Sequence, residues 1–180
     1  MRGGTLPRRL ALLSWANRND AYIIEDDYDS DFRFTGSPLT ALKGLDRGNR
    51  VLYMGTFSKC MGPGLRLGFL VLPPHLADPA RRMKALMNNG HSWLEQAAMA
   101  DFMLEGGYRR HLRRVRQIYL ERRDALLASL EQHFGPCNVS GEDAGMHLVW
   151  SIAEGLPDAS EIERRALENG IGVYAFFSGA

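Results

Sequence analysis

Apolar residues recur at helical spacing from about Pro7 to Arg18, with Leu10, Leu13 and Ala16 on one side and Pro7 suited to a first turn. The pattern then changes to short runs that are apolar throughout. These are Ala21-Tyr22-Ile23-Ile24, Val51-Leu52-Tyr53-Met54 and Leu67-Gly68-Phe69-Leu70-Val71-Leu72, the last closed by Pro73-Pro74. Such runs predict strands buried on both faces. With helices and loops between them they predict an α/β fold, a mostly parallel sheet with flanking helices. Helices are predicted over Pro79 to Met87, Leu94 to Leu104 and Tyr108 to His133. In the last, Tyr108, Leu112, Val115, Tyr119, Leu126 and Leu130 fall near one stripe.

The tail predicts strand at Met146 to Ile152, helix at Ser160 to Asn169 and strand at Ile171 to Tyr174, a smaller α+β unit. Gly106-Gly107 marks the boundary, dividing the chain into residues 1–105 and 106–180. Three strands, with a helix close to one terminus and a strand close to the other, make a small sheet. The chain is therefore expected to be a fragment of a larger one.

Composition narrows the class. Hydrophobic residues are 45% and charged residues 24% of the 180, which excludes a disordered or low-complexity chain. No run approaches the length of a membrane span, and residues 1–4 lack the apolar core of a signal peptide. The net charge of +1 implies no strongly charged partner surface by itself. Cys60 and Cys137 match no disulfide or zinc framework, so a reducing cytoplasm is expected. His75, His91, His111, His133 and His147 show no ligand spacing, and no metal is expected.

The candidate chemistry lies at two strand ends. The first strand runs into Glu25-Asp26-Asp27-Tyr28-Asp29-Ser30-Asp31, and Thr56-Phe57-Ser58-Lys59 follows the second. Ligand sites of open α/β sheets lie at the carboxyl ends of strands. Only Lys43, Lys59 and Lys84 are lysines, so amine chemistry has few candidates. Asp26 and Tyr28, two apart in extended backbone, share a face that Asp27 does not. Arg66 opens the third strand after Gly62-Pro63-Gly64.

Pyridoxal phosphate uses this set: a lysine for its imine, a carboxylate for its pyridine nitrogen, a hydroxyl for its ring oxygen, and arginine with hydroxyls for its phosphate. Other readings fail. A calcium loop over Asp27, Asp29 and Asp31 would need glycine where Phe32 stands and glutamate where Pro38 stands. An aspartate nucleophile of phosphoryl transfer would need a small hydroxyl residue where Asp31 stands. Gly62-Pro63-Gly64 is no dinucleotide fingerprint. Arg109, Arg110, Arg113, Arg114, Arg116, Arg122 and Arg123 form a basic helix segment, read first as a solvated or subunit-contact face and second as a nucleic-acid contact.

The runs Ile24 to Phe34, Gly55 to Lys59 and Gly64 to Phe69, with Tyr108 to Leu127 and Gly145 to Val149, resemble the aminotransferase-like domain of MocR/GabR-type bacterial regulators. Those belong to the fold-type I (class I/II) pyridoxal-phosphate superfamily. The resemblance covers nearly the whole chain. It implies that residues 1–105 are the second half of the cofactor-binding large domain, and residues 106–180 the connecting helix and most of the small domain. It implies Lys59 as the Schiff-base lysine, Asp26 on the pyridine nitrogen, Tyr28 on the ring oxygen, and Thr56, Ser58 and Arg66 on the phosphate. The expected function is exchange of the lysine imine with an amino compound, as the effector-sensing part of a transcriptional regulator. The alternatives are a catalytic aminotransferase and a cofactor-free remnant. A homodimer is expected of the full-length parent, which would carry a DNA-binding domain that this chain lacks.

Overall fold

The first apolar stripe forms helix α1 (Leu6–Arg18), with Pro7 in its first turn and Leu13 and Ala16 buried. The computed structural model describes residues 5–34, 40–89, 93–143 and 145–176; the sequence readings on residues 1–4, Pro38 and His91 lie outside them. Strand β1 (Ile23–Asp27) pairs in parallel with β2 (Val51–Thr56), from Ile23 opposite Val51 to Asp27 opposite Gly55. Strand β3 (Gly68–Val71) pairs with β2 antiparallel, so the sheet β1-β2-β3 is mixed rather than parallel throughout. The acidic residues expected in a turn belong to β1 as far as Asp27. Aspartate disfavours strands, but the ladder to β2 overrides that preference.

Between β1 and β2 a short helix escapes the apolar pattern, α2 (Leu42–Leu45). Glu25 creates it: its carboxylate accepts the Leu42 and Lys43 amides at 2.7 and 2.9 Å, where a helix start favours negative charge. Lys43 Nζ in turn donates to the Val51 carbonyl at 2.8 Å. A 3-10 turn (Pro63–Leu65) leads into β3.

Helix α3 (Pro74–Asn88) starts five residues before the expected Pro79. Pro74 takes the first-turn position, where a missing amide costs nothing, and Pro79 lies within the helix. Then follow α4 (Trp93–Leu104) and α5 (Gly107–Phe134). By contact the chain forms two units, Met1–Glu121 with Asp143–Met146, and Arg122–Glu142 with His147–Ala180. The core of the first is Phe32, Cys60 and Leu112, with Phe57, Tyr108, Val115, Tyr119 and Met146 packed around it. The segment 143–146 joins this unit through Phe34 N to Asp143 O at 3.0 Å and Gly145 N to Phe32 O at 2.8 Å. Gly145 takes a φ of +90°, a conformation that favours glycine, beside the Asp29 carboxylate.

The second unit contains the hairpin pair β4 (Asn138–Ser140) and β5 (Val149–Ser151) and helix α6 (Ala159–Glu168). Phe134 packs on Trp150 at 4.7 Å. The Asp158 side chain caps α6 by accepting the Glu161 amide at 2.8 Å. The expected strand at 171–174 is not formed. No neighbouring strand pairs with it among the described residues, and Ile171 and Tyr174 stay exposed. No described helix is long and apolar enough to cross a membrane.

Candidate functional site

The parallel pairing of β1 with β2 fixes which residues leave the sheet together. One step past the last paired residues, Asp27 and Gly55, lie Tyr28 and Thr56. The acidic segment and the Thr56–Lys59 segment therefore emerge at the same rim.

Alternation along β1 separates the two aspartates. Ile24, Asp26 and Tyr28 are exposed, and across the sheet Met54 and Leu70 share their face. Ile24 is 68% and Leu70 60% exposed, so the expected burial of the strands on both faces does not hold for β1 and β3. Glu25 and Asp27 point to the other face, with Tyr53, Gly55 and Phe69. The Phe69 ring lies so close over Gly55 that a Cβ there would meet it at 2.5 Å.

Asp27 is committed to local bonds. Its Oδ2 accepts Tyr53 Oη and Ser30 Oγ, both at 2.6 Å, and its Oδ1 accepts the Ser30 amide at 3.1 Å. Burial, then the hydrogen bond to and charge of Asp27, push the Tyr53 phenol far above its ordinary pKa. The Asp26 side chain has no hydrogen bond or ion pair among the described residues.

A cavity of about 310 Å³ opens on the Asp27 face, lined by Asp27, Tyr28, Tyr53, Thr56, Phe57 and Tyr108 among others. Of the six residues singled out by sequence, Tyr28 and Thr56 line it; Asp26, Ser58, Lys59 and Arg66 do not.

The lysine-bearing turn is built from the strand end. Thr56 Oγ1 accepts the Ser58 amide at 3.1 Å and donates to the Leu67 carbonyl at 3.4 Å. Cys60 is buried, its sulfur 3.4 Å from the Phe57 carbonyl and 3.3 Å from the Tyr108 hydroxyl. With Cys60 pinned in the core, its neighbour Lys59 is exposed and has no partner among the described residues. The other lysines are engaged elsewhere: Lys43 bonds the Val51 carbonyl, and Lys84 lies on α3, 3.3 Å from Asn88 Oδ1.

Arg66 is exposed, also unpartnered, and left-handed at φ 52°, ψ 29°. A non-glycine residue seldom adopts that conformation, and strained positions cluster at ligand sites.

Sequence reasoning missed the residues that hold this geometry. Tyr53 is invisible without the strand register that sets it beside Asp27. Tyr108 Oη donates to Asp31 at 2.9 Å across 77 residues of sequence. Burial, then the Cys60 hydrogen bond, raise its pKa well above the ordinary value. Arg116 Nε also bonds the Asp31 carbonyl. No group of three or more metal-ligating side chains occurs among the described residues.

Residues 5–177 match the aminotransferase class I and II family. The probable rhizopine catabolism regulatory protein MocR of Rhizobium meliloti is 48% identical over 153 residues, 83% of this chain and 31% of that protein. Aromatic-amino-acid aminotransferase 1 of Thermococcus litoralis is 33% identical over 170 residues, 91% of this chain and 39% of that protein. Among solved structures, kynurenine aminotransferase of Pyrococcus horikoshii superposes with a TM-score of 0.80 at 30% identity, covering 92% of this chain and 41% of that one. The chain thus spans between about three and four tenths of the length of these relatives.

Proposed function

Since this chain belongs to the aminotransferase class I and II family, we propose that it is the part of a pyridoxal-phosphate domain that carries the cofactor lysine, within a regulator that senses an amino compound. The single observation that supports this reading most is the shared rim of β1 and β2, which sets the Asp26–Tyr28 segment beside the Thr56–Lys59 segment. The donor types are those the cofactor needs. A carboxylate, an amine and a guanidinium, on Asp26, Lys59 and Arg66, are all uncommitted to other protein groups among the described residues.

Pyridoxal phosphate supplies an aldehyde that condenses with amines and a ring that withdraws electrons from the carbon next to the nitrogen. Lys59 Nζ would hold that aldehyde and release it to an incoming amino compound. The Asp26 carboxylate would hold a proton on the pyridine nitrogen, because an adjacent negative charge favours the charged form. Tyr28 would bond the ring oxygen. Thr56, Ser58 and Arg66 would bind the phosphate, with the Arg66 fork taking two oxygens at once. In this reading residues 1–105 belong to the large domain and residues 106–180 to the connecting helix and small domain. The parent protein is a cytoplasmic homodimer.

The regulatory role draws on the 48% identity to the Rhizobium meliloti regulator. Similarity to the Thermococcus litoralis aminotransferase supports a second reading, in which Lys59 also moves a proton at the substrate carbon and the protein turns over. Titrating the chain with pyridoxal phosphate and following the cofactor's absorbance tests the common premise. Saturable binding that is lost in Lys59→Ala and weakened in Arg66→Gln supports it. Equal binding by the Lys59→Ala chain contradicts it, and no binding at all marks a cofactor-free remnant.

A further inference from the structure

The first two turns of α5 carry charges that work against the helix. Arg109, Arg110, Arg113 and Arg114 are all exposed, and the first turn holds no acidic residue. Cations near a helix N-terminus oppose the macrodipole. The pairs Arg109/Arg113 and Arg110/Arg114 are like charges one turn apart, which repel. Among the described residues the side chains of Arg109, Arg113 and Arg114 have no hydrogen bond or ion pair, and the Arg110 guanidinium donates to the Glu105 carbonyl at 3.2 Å. The arginines that serve the fold are paired, as Arg116 is with Asp31 and Arg164 with Glu161.

At about 100° per residue the four occupy one continuous face. The opposite side of the helix, with Tyr108, Leu112, Val115 and Tyr119, is packed into the core. Four guanidinium forks on a rigid helix suit a row of phosphate oxygens. A membrane surface fits poorly, because a surface-lying helix inserts its apolar side and here that side is already buried. The chain's net charge is only +1, so the attraction is local to this face.

We propose that this face docks against the phosphodiester backbone of double-stranded DNA without reading its sequence. The choice of DNA among polyanions rests on the regulatory reading above; the charge argument does not depend on the cofactor.

The test is anisotropy of a fluorescent duplex of arbitrary sequence titrated with the full chain across a salt series. Each neutralised phosphate contributes about −0.9 to the slope of log affinity against log salt, so four contacts give roughly −3 to −4. The Arg109→Gln/Arg113→Gln chain should lose about two units of that slope. A charge-matched control, Arg82→Gln/Lys84→Gln on α3, should keep it. Circular dichroism should show both variants folded, since removing like-charge repulsion does not harm α5. Equal weakening by the control, an unchanged slope in the α5 variant, or equally tight binding of poly-glutamate or anionic vesicles at the same salt overturns the proposal. Failure here with cofactor still bound at Lys59 leaves the cofactor reading intact, and the converse outcome leaves this one intact.

Discussion

The Tyr53 hydroxyl donates a 2.6 Å hydrogen bond to the Asp27 carboxylate, and this bond separates two adjacent aspartates by role. Asp27 is also held by Ser30 through its hydroxyl and amide. It shapes the turn that follows β1, while Asp26 faces the other way with no protein partner among the described residues.

Exchange of the two carboxylates for amides should therefore give opposite results. Asp27→Asn should lower stability by about 1–3 kcal/mol, because charge-assisted bonds are weakened and one acceptor is lost. Asp26→Asn should leave the melting temperature nearly unchanged and weaken pyridoxal-phosphate binding. Thermal unfolding and cofactor titration of both variants check this.

The lysines should divide likewise. Lys43 bonds the Val51 carbonyl and lies 3.9 Å from the Asp46 carboxylate, so Lys43→Ala should cost about 1–2 kcal/mol. Lys59→Ala removes an exposed, unpartnered side chain and should cost nothing measurable. Urea unfolding of the two variants reads the difference.

Stability should fall in alkali through Tyr53 and Tyr108. Both phenols are raised in the folded state, mainly by burial. A raised folded pKa gives stability that is complete below the unfolded value, about 10, and is lost as pH climbs toward the folded value. Unfolding free energy should decline above about pH 10, and Tyr53→Phe should make that decline shallower. Urea melts at stepped alkaline pH measure it.

Helix α6 should respond at the acid end. Hydrogen bonds from Arg164 and then Arg165 lower the Glu161 carboxyl to about 2. A lowered folded pKa gives stability present above the unfolded value of 4.5 and lost as pH falls toward 2. Carboxyl NMR titration should find Glu161 still ionised at pH 3, and Glu161→Gln should remove the acid sensitivity of α6.

The sequence made legible what local patterning controls. The spacing of Leu13 and Ala16 gave α1, although Leu10, expected on the same side, is 49% exposed, and the alternation of Asp26 against Asp27 gave the two faces of β1. The long α5 followed from its apolar stripe within a residue at either end. It did not reveal what distant residues decide. The β1 strand continues to Asp27 only because β2 pairs with it. Helix α2 starts where the distant Glu25 carboxylate receives its first amides, and β3 turns antiparallel after a 3-10 turn that no periodicity announces. The 171–174 segment failed for the same reason, since a strand-like pattern needs a partner to become a strand. At the candidate site the sequence singled out Asp26, Tyr28, Thr56, Ser58, Lys59 and Arg66, of which only Tyr28 and Thr56 line the cavity, whereas the bond that holds Asp27 to Tyr53 comes from strand register.

Borohydride reduction of the chain in the presence of pyridoxal phosphate, followed by peptide mapping, tests the central claim most directly. Near-stoichiometric label on Lys59, with Lys43 and Lys84 almost unmodified, is the predicted result. Label spread evenly over the three lysines, or absent from the Lys59 peptide, would contradict it.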